Sequence, residues 1–128
     1  MARQRGEPLA IARILLESGE IAARQGECSR SEALASEALR LYRRIGAPSP
    51  VAQCLDLLAR TSLSLGHQLR AATLSGAAAG IRRDLGFAPP AVAKATDAAS
   101  ADEEVAGAWQ RGTRLSVAQA ISVALDEE

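Results

Sequence analysis

Shifted by forty residues, the chain falls on itself. Leu15 meets Leu55, Gly26 meets Gly66, Leu34 meets Leu74 and Ala38 meets Ala78. Arg43 then meets Arg83, Ile45 meets Leu85 and Gly46 meets Gly86, so the two copies close alike, as YRRIG and RRDLG. Self-similarity at this period marks a supersecondary unit that cannot bury its apolar face alone and stacks on its neighbour. No local motif in the chain constrains the fold as strongly.

Each copy reads as a helical hairpin. Helix one starts near Pro8, a residue suited to the first helical position. Leu9, Ala12, Leu15, Leu16, Ala22 and Ala23 keep helical spacing up to a stop around Gly26. Ser29 and Glu32 have the form of a capping box opening helix two, which carries Leu34, Ala38, Leu41 and Ile45 inward and ends at Gly46. Ser49 then caps helix three, with Pro50 as its first residue, and helix three runs to Gly66. Helix four spans about His67 to Leu85. Beyond F87-A-P-P90 a weaker helix continues to about Ser100. S100-A-D-E103 then opens a short helix that carries Trp109 and stops at Gly112. S116-V-A-Q119 is a further capping box, with Leu115 placed to staple against Ala120.

Composition agrees with this reading. There are 28 alanines against 2% aromatic residues, so helices must approach one another through small side chains rather than bulky fillers. Residues that favour strands are sparse. The expectation is one all-α domain over residues 1–128, with hairpins at 7–46 and 49–86 and a three-helix cap at 90–128. A stack of repeats needs such a cap, since its last unit otherwise exposes a stacking face.

Basic and acidic residues balance at 15 each, so no net field favours direct nucleic-acid or membrane binding. Fourteen of the basic residues are arginine, which together with the alanine content fits a GC-rich genome. Cys28 and Cys54 match no metal spacing and are too few for a disulfide framework. The early apolar run LAIARILL contains Arg13 and is too short and charged for a signal peptide or a membrane span. The chain is therefore expected in the cytoplasm, with its cysteines reduced.

Catalytic chemistry finds little support. His67 is the only histidine, follows a glycine and reads as a helix start. Cys54 reads as core packing, and Cys28 beside Arg30 as a helix-start thiol with only a remote redox role. The early glutamates offer no isolated, desolvated pair. We expect no enzymatic activity, no cofactor and no metal. G76-A-A-A-G80 has the spacing that lets a second helix come close, whether from this chain or from another subunit. Arg40, Arg43 and Arg44 recur as Arg82 and Arg83 in the second copy, and read as solvated helix ends more readily than as a basic stripe for an acidic partner. Trp109, beside Ala106 and Ala108, reads as a bulky plug in the cap rather than a ligand platform.

The repeat resembles a degenerate tetratricopeptide unit. Gly19, Gly26 and Gly66, with Ala38 and Ala78, stand where that repeat has its small residues, while Leu15, Ala22, Leu55 and Ser62 replace its aromatics. The second half is similar to the carboxy-terminal end of large ATP-binding LuxR-type transcription regulators and related actinobacterial signalling ATPases. The resemblance rests on Gly76, Ala77, Ala78, Leu85, Gly86, Pro89, Trp109, Gly112, Leu115, Ser116 and Ala120. The stretch between Pro90 and Trp109 is shorter than in that family, and the chain has neither a P-loop nor a recognisable helix-turn-helix. The resemblance thus implies a tetratricopeptide-like module for signal reception, protein contact or self-association, without ATPase or DNA-binding activity.

The function expected is a regulatory protein–protein interaction module. It would bind a protein partner or its own copy through the second helices of the hairpins, at Leu41, Tyr42, Ala72, Ser75, Gly76, Ala79 and Gly80, together with Trp109. The alternative is a small-molecule sensor holding a metabolite between hairpins, with Tyr42, His67 or Trp109 at the edge of the groove.

Overall fold

A computed structural model describes the backbone of residues 2–87 and 103–126, with side chains from residue 7 onward. Among the described residues there are six helices and no strand: α1 (Ala2–Arg24), α2 (Cys28–Ile45), α3 (Pro48–Ser64), α4 (Gln68–Asp84), α5 (Glu103–Thr113) and α6 (Val117–Ala124). Each of the first four helices packs on the next, and α6 lies against α2, α3 and α4. None of these helices is long and apolar enough to cross a membrane.

The forty-residue offset is carried by the backbone itself. α1 and α3 end at Arg24 and Ser64, and α2 and α4 begin at Cys28 and Gln68. The turn glycines Gly26 and Gly66 both sit in the left-handed region, at φ 79° and 86°. The residue after each, Glu27 or His67, donates its amide to the carbonyl of Ala22 or Ser62, at 2.9 and 2.8 Å. That closure satisfies the last carbonyls of the helix and requires a left-handed residue, which glycine supplies without a Cβ penalty.

Several helix starts differ from the sequence expectation, and those of α2 and α3 share one reason. After a left-handed glycine a single residue suffices before the next helix. Glu27 and His67 therefore take the N-cap positions, and neither caps through its side chain. Ser29 falls inside α2 and caps nothing; Ser31 turns inward instead, donating from Oγ to the Gly19 carbonyl at 2.8 Å. α3 starts at Pro48 behind an Ala47 N-cap, so Ser49 and Pro50 occupy its first turn, where amides lack intrahelical partners and proline is harmless. Pro8 lies inside α1 rather than opening it, because helix formers Arg3 to Arg5 extend the helix upstream. Gly112 does not stop α5, which continues to Thr113. The Ser116 box forms as expected, with reciprocal bonds of 3.1 and 3.0 Å between Ser116 and Gln119. The box at Ser100 and the first of the three cap helices lie outside the described residues.

Leu16, Leu39, Leu55, Leu57, Leu58, Leu74 and Ile81 form the bulk of the core, with alanines filling between them. Ile121, Ala120 and Ala124 bring α6 into the same cluster, and Leu115 is packed against it. The outer end of α6 is held by Arg70 of α4, which donates to the carbonyls of Ala124 (2.7 Å) and Val123 (3.4 Å) and to the Asp126 carboxylate (2.8 Å). A guanidinium at the end of a helix both satisfies orphan carbonyls and complements the helix dipole.

Candidate functional site

The two ends of this stack are treated differently, and equivalent residues show how. In α3 the positions Val51, Cys54, Leu58 and Thr61 are all buried. Forty residues earlier they correspond to Ile11, Ile14, Ser18 and Ile21 on α1. Burial pushes the Cys54 thiol up to about 12, and Glu20 of α1 adds to the effect. Tyr42 of α2 is likewise raised, by burial first and by Cys54 second. Cys54 therefore faces the first hairpin, so this is the side of the repeat on which a preceding hairpin stacks.

On α1 the same face is open. Ile11 is 52% exposed, Ile14 61% and Ile21 52%. With Ser18 and Gln25 they form a stripe at alternating spacings of three and four residues. The outermost unit of a stacked repeat ordinarily carries a polar outer face. Here the exposed stripe carries three isoleucines where the second repeat has Val51, Cys54 and Thr61. A groove lined by Ser18, Ile21, Ala22 and Gln25 runs beside it to Glu27 and Arg30, which pair at 3.9 Å.

The opposite end is closed by backbone contact. A Cβ added at Gly76 would collide with the Trp109 carbonyl, and one added at Gly112 with the Thr73 carbonyl. At Gly80 it would lie 2.5 Å from the carbonyl oxygen of Thr113. Arg83 adds a bond from its guanidinium to the Thr113 carbonyl at 3.1 Å. The helix that the GxxxG spacing admits is thus α5 of the same chain.

The expected contact residues divide accordingly. Ala72, Gly76 and Gly80 are buried within the fold, and Tyr42 is buried with only 3% of its surface exposed. These four offer no surface to a partner, because α5 and the neighbouring hairpin have already claimed the close approach. Leu41, Ser75, Ala79 and Trp109 are half-buried. The recurring arginines also part company: Arg82 pairs with Asp56 and Arg83 holds the end of α5, whereas Arg40, Arg43 and Arg44 are exposed. His67 is exposed at the α4 N-cap, Cys28 is half-buried and free, and Cys54 is buried and free. Tyr42 and His67 stand at opposite ends of the hairpins, next to the 46–47 turn and in the 65–67 turn, so they do not border one groove. Among the described residues there is no group of three or more His, Cys, Asp or Glu placed to hold a metal ion.

The isoleucine stripe was the feature that the sequence reading passed over. Its signal was present as a second apolar row on α1, beside the row that packs on α2. Only the repeat offset shows that the corresponding row of α3 is interior.

Compared with models of protein families, with curated proteins and with solved structures, the chain matches none.

Proposed function

We propose that this chain is a regulatory interaction module of tetratricopeptide-like hairpins that acts in the cytoplasm by packing against another protein, without catalysing a reaction. One observation carries the reading: Ile11, Ile14 and Ile21 are exposed where their counterparts in the second repeat are interior. An exposed apolar row of this kind, interrupted at Ser18, suits contact with another protein. The likeness of the second half to the ends of LuxR-type regulators supports a signalling context, with any DNA binding or nucleotide hydrolysis residing elsewhere.

The test is comparative retention. The immobilised chain and its Ile14→Glu/Ile21→Glu variant are exposed to the same host lysate, after circular dichroism has shown equal helicity. Proteins retained by the first and lost by the second support the reading. Equal retention refutes it.

A sensor remains the second reading because of Trp109, whose indole Nε1 is buried with no hydrogen-bond partner among the described residues. Such a donor is costly to leave unpaired and would favour a ligand acceptor. Titration of metabolite extracts against the fluorescence of this lone tryptophan tests it; an unchanged emission spectrum refutes it.

A further inference from the structure

We infer that the partner on the α1 stripe is a second copy of this chain, packed about a two-fold axis with the two α1 helices antiparallel. The inference rests on the interaction reading above and names its partner. Head-to-tail stacking of copies requires an open outgoing face on α4, and α5 covers that face with backbone contacts at Gly76, Gly80 and Gly112. Among the described residues the α1 face is the end of the stack left uncovered, and the arrangement that covers this face on two copies at once is isologous.

The residues of the stripe suit such pairing. Ile11, Ile14, Ser18, Ile21 and Gln25 occupy alternate positions of a seven-residue pattern, the spacing of a seam between two helices. In an antiparallel seam Ile21 of one protomer lies opposite the small Ser18 of its partner, and reciprocally, so each isoleucine finds room. Ile14 lies opposite Gln25 in the next layer. Glu17 and Arg24 sit on the same flank of the stripe, one heptad apart. Between those two layers an antiparallel partner sets Glu17 against Arg24 twice, once on each side of the axis. Both side chains are exposed and free to turn outward, although Glu17 also pairs with Arg13 at 3.4 Å within the chain.

Sedimentation equilibrium of the purified chain across a hundredfold concentration range tests the inference. A monomer–dimer equilibrium is expected, with a dissociation constant that rises at least tenfold in Ile14→Glu at unchanged helicity. Glu17→Arg and Arg24→Glu should each weaken the dimer, and the double charge reversal should restore it. That rescue separates pairing from a structural defect. A monomer at every concentration overturns the proposal, as does a dimer whose constant Ile14→Glu leaves unmoved. If the chain is monomeric but lysate retention still depends on Ile14 and Ile21, the module reading survives with a different protein on the face. If retention is indifferent to both, the module reading falls as well.

Discussion

Replacing Gly80 with alanine should destabilise the protein, although alanine is the better helix former. The added Cβ would lie 2.5 Å from the Thr113 carbonyl oxygen, about 0.9 Å short of the 3.4 Å at which ordinary contact begins. The neighbour is backbone, so no side chain can swing aside and the two helices must part. Overpacking of this kind costs about 1–3 kcal/mol. The gain in helix propensity returns about 1 kcal/mol. The net expectation is a loss of up to about 2 kcal/mol, with Gly76→Ala more damaging because its Cβ would press further into the Trp109 carbonyl. Gly107→Ala is the control. Its Cβ would meet only the tip of the Arg111 side chain, at 3.3 Å, so propensity wins and the protein gains about 0.5–1 kcal/mol. Urea unfolding followed by the emission of Trp109 and, in parallel, by circular dichroism reads both effects. In Gly80→Ala the tryptophan transition should move to lower urea. If Gly80→Ala and Gly107→Ala shift the midpoint in the same stabilising direction, the close crossing of α4 and α5 is not as described.

Ser31→Ala should cost about 1 kcal/mol by removing the buried bond to the Gly19 carbonyl, measured as a lower urea midpoint at unchanged slope. Arg70→Ala should cost about 1–2 kcal/mol and loosen α6 locally, seen as faster amide exchange confined to Val117–Ala124. Cys54 should make stability fall at alkaline pH. Its thiol stays protonated in the fold up to about 12 but ionises near 9.0 when unfolded, so the contribution is full below 9.0 and is lost as pH rises, at about 1.4 kcal/mol per unit. Cys54→Ala should flatten that slope over the lower part of the range, leaving the same-direction contribution of Tyr42 above 10.0; an unchanged slope would refute the burial of the thiol. Native protein treated with a thiol reagent near neutral pH should be labelled at Cys28 well before Cys54.

Much of the fold was legible because it is written in residues with few alternatives. Gly26, Gly46, Gly66 and Gly86 all adopt positive φ, a conformation that few other residues tolerate, so the turns could be placed from the letters alone. The Ser116 box could be read because Leu115 and Gln119 flank it in the one order that caps a helix. Helix starts were harder. Ser29 and Ser49 each have the chemistry of a cap, but the preceding glycine closure leaves too few residues for the chain to reach them before helix begins. Small side chains were ambiguous in another way. Gly76 and Gly80 announce that some backbone comes close, and nothing local says whose. The contact residues followed from that ambiguity: a row of small residues looks like an unclaimed surface until α5 is seen lying on it.

The isoleucine row poses the opposite problem, and its energetics limit what it can do. In an alanine-rich chain, binding free energy concentrates in the few large side chains that remain outside. Full burial of one isoleucine is worth about 1.5–3 kcal/mol, so covering the exposed half contributes about 1 kcal/mol. Three such residues on one protomer fall short of the roughly 4–15 kcal/mol lost when two bodies associate. A two-fold seam in this register covers Ile14 and Ile21 on both protomers and brings the apolar term to about 4 kcal/mol, at the lower edge of that range. The balance then depends on the flanks, where Glu17 and Arg24 meet twice, and on the groove at Ile21 and Ala22. Exposed pairs of that kind are worth little individually and weaken with salt. The proposed association through this face would therefore be reversible, sensitive to ionic strength and governed by local concentration, which are the properties a regulatory contact requires and a permanent assembly does not.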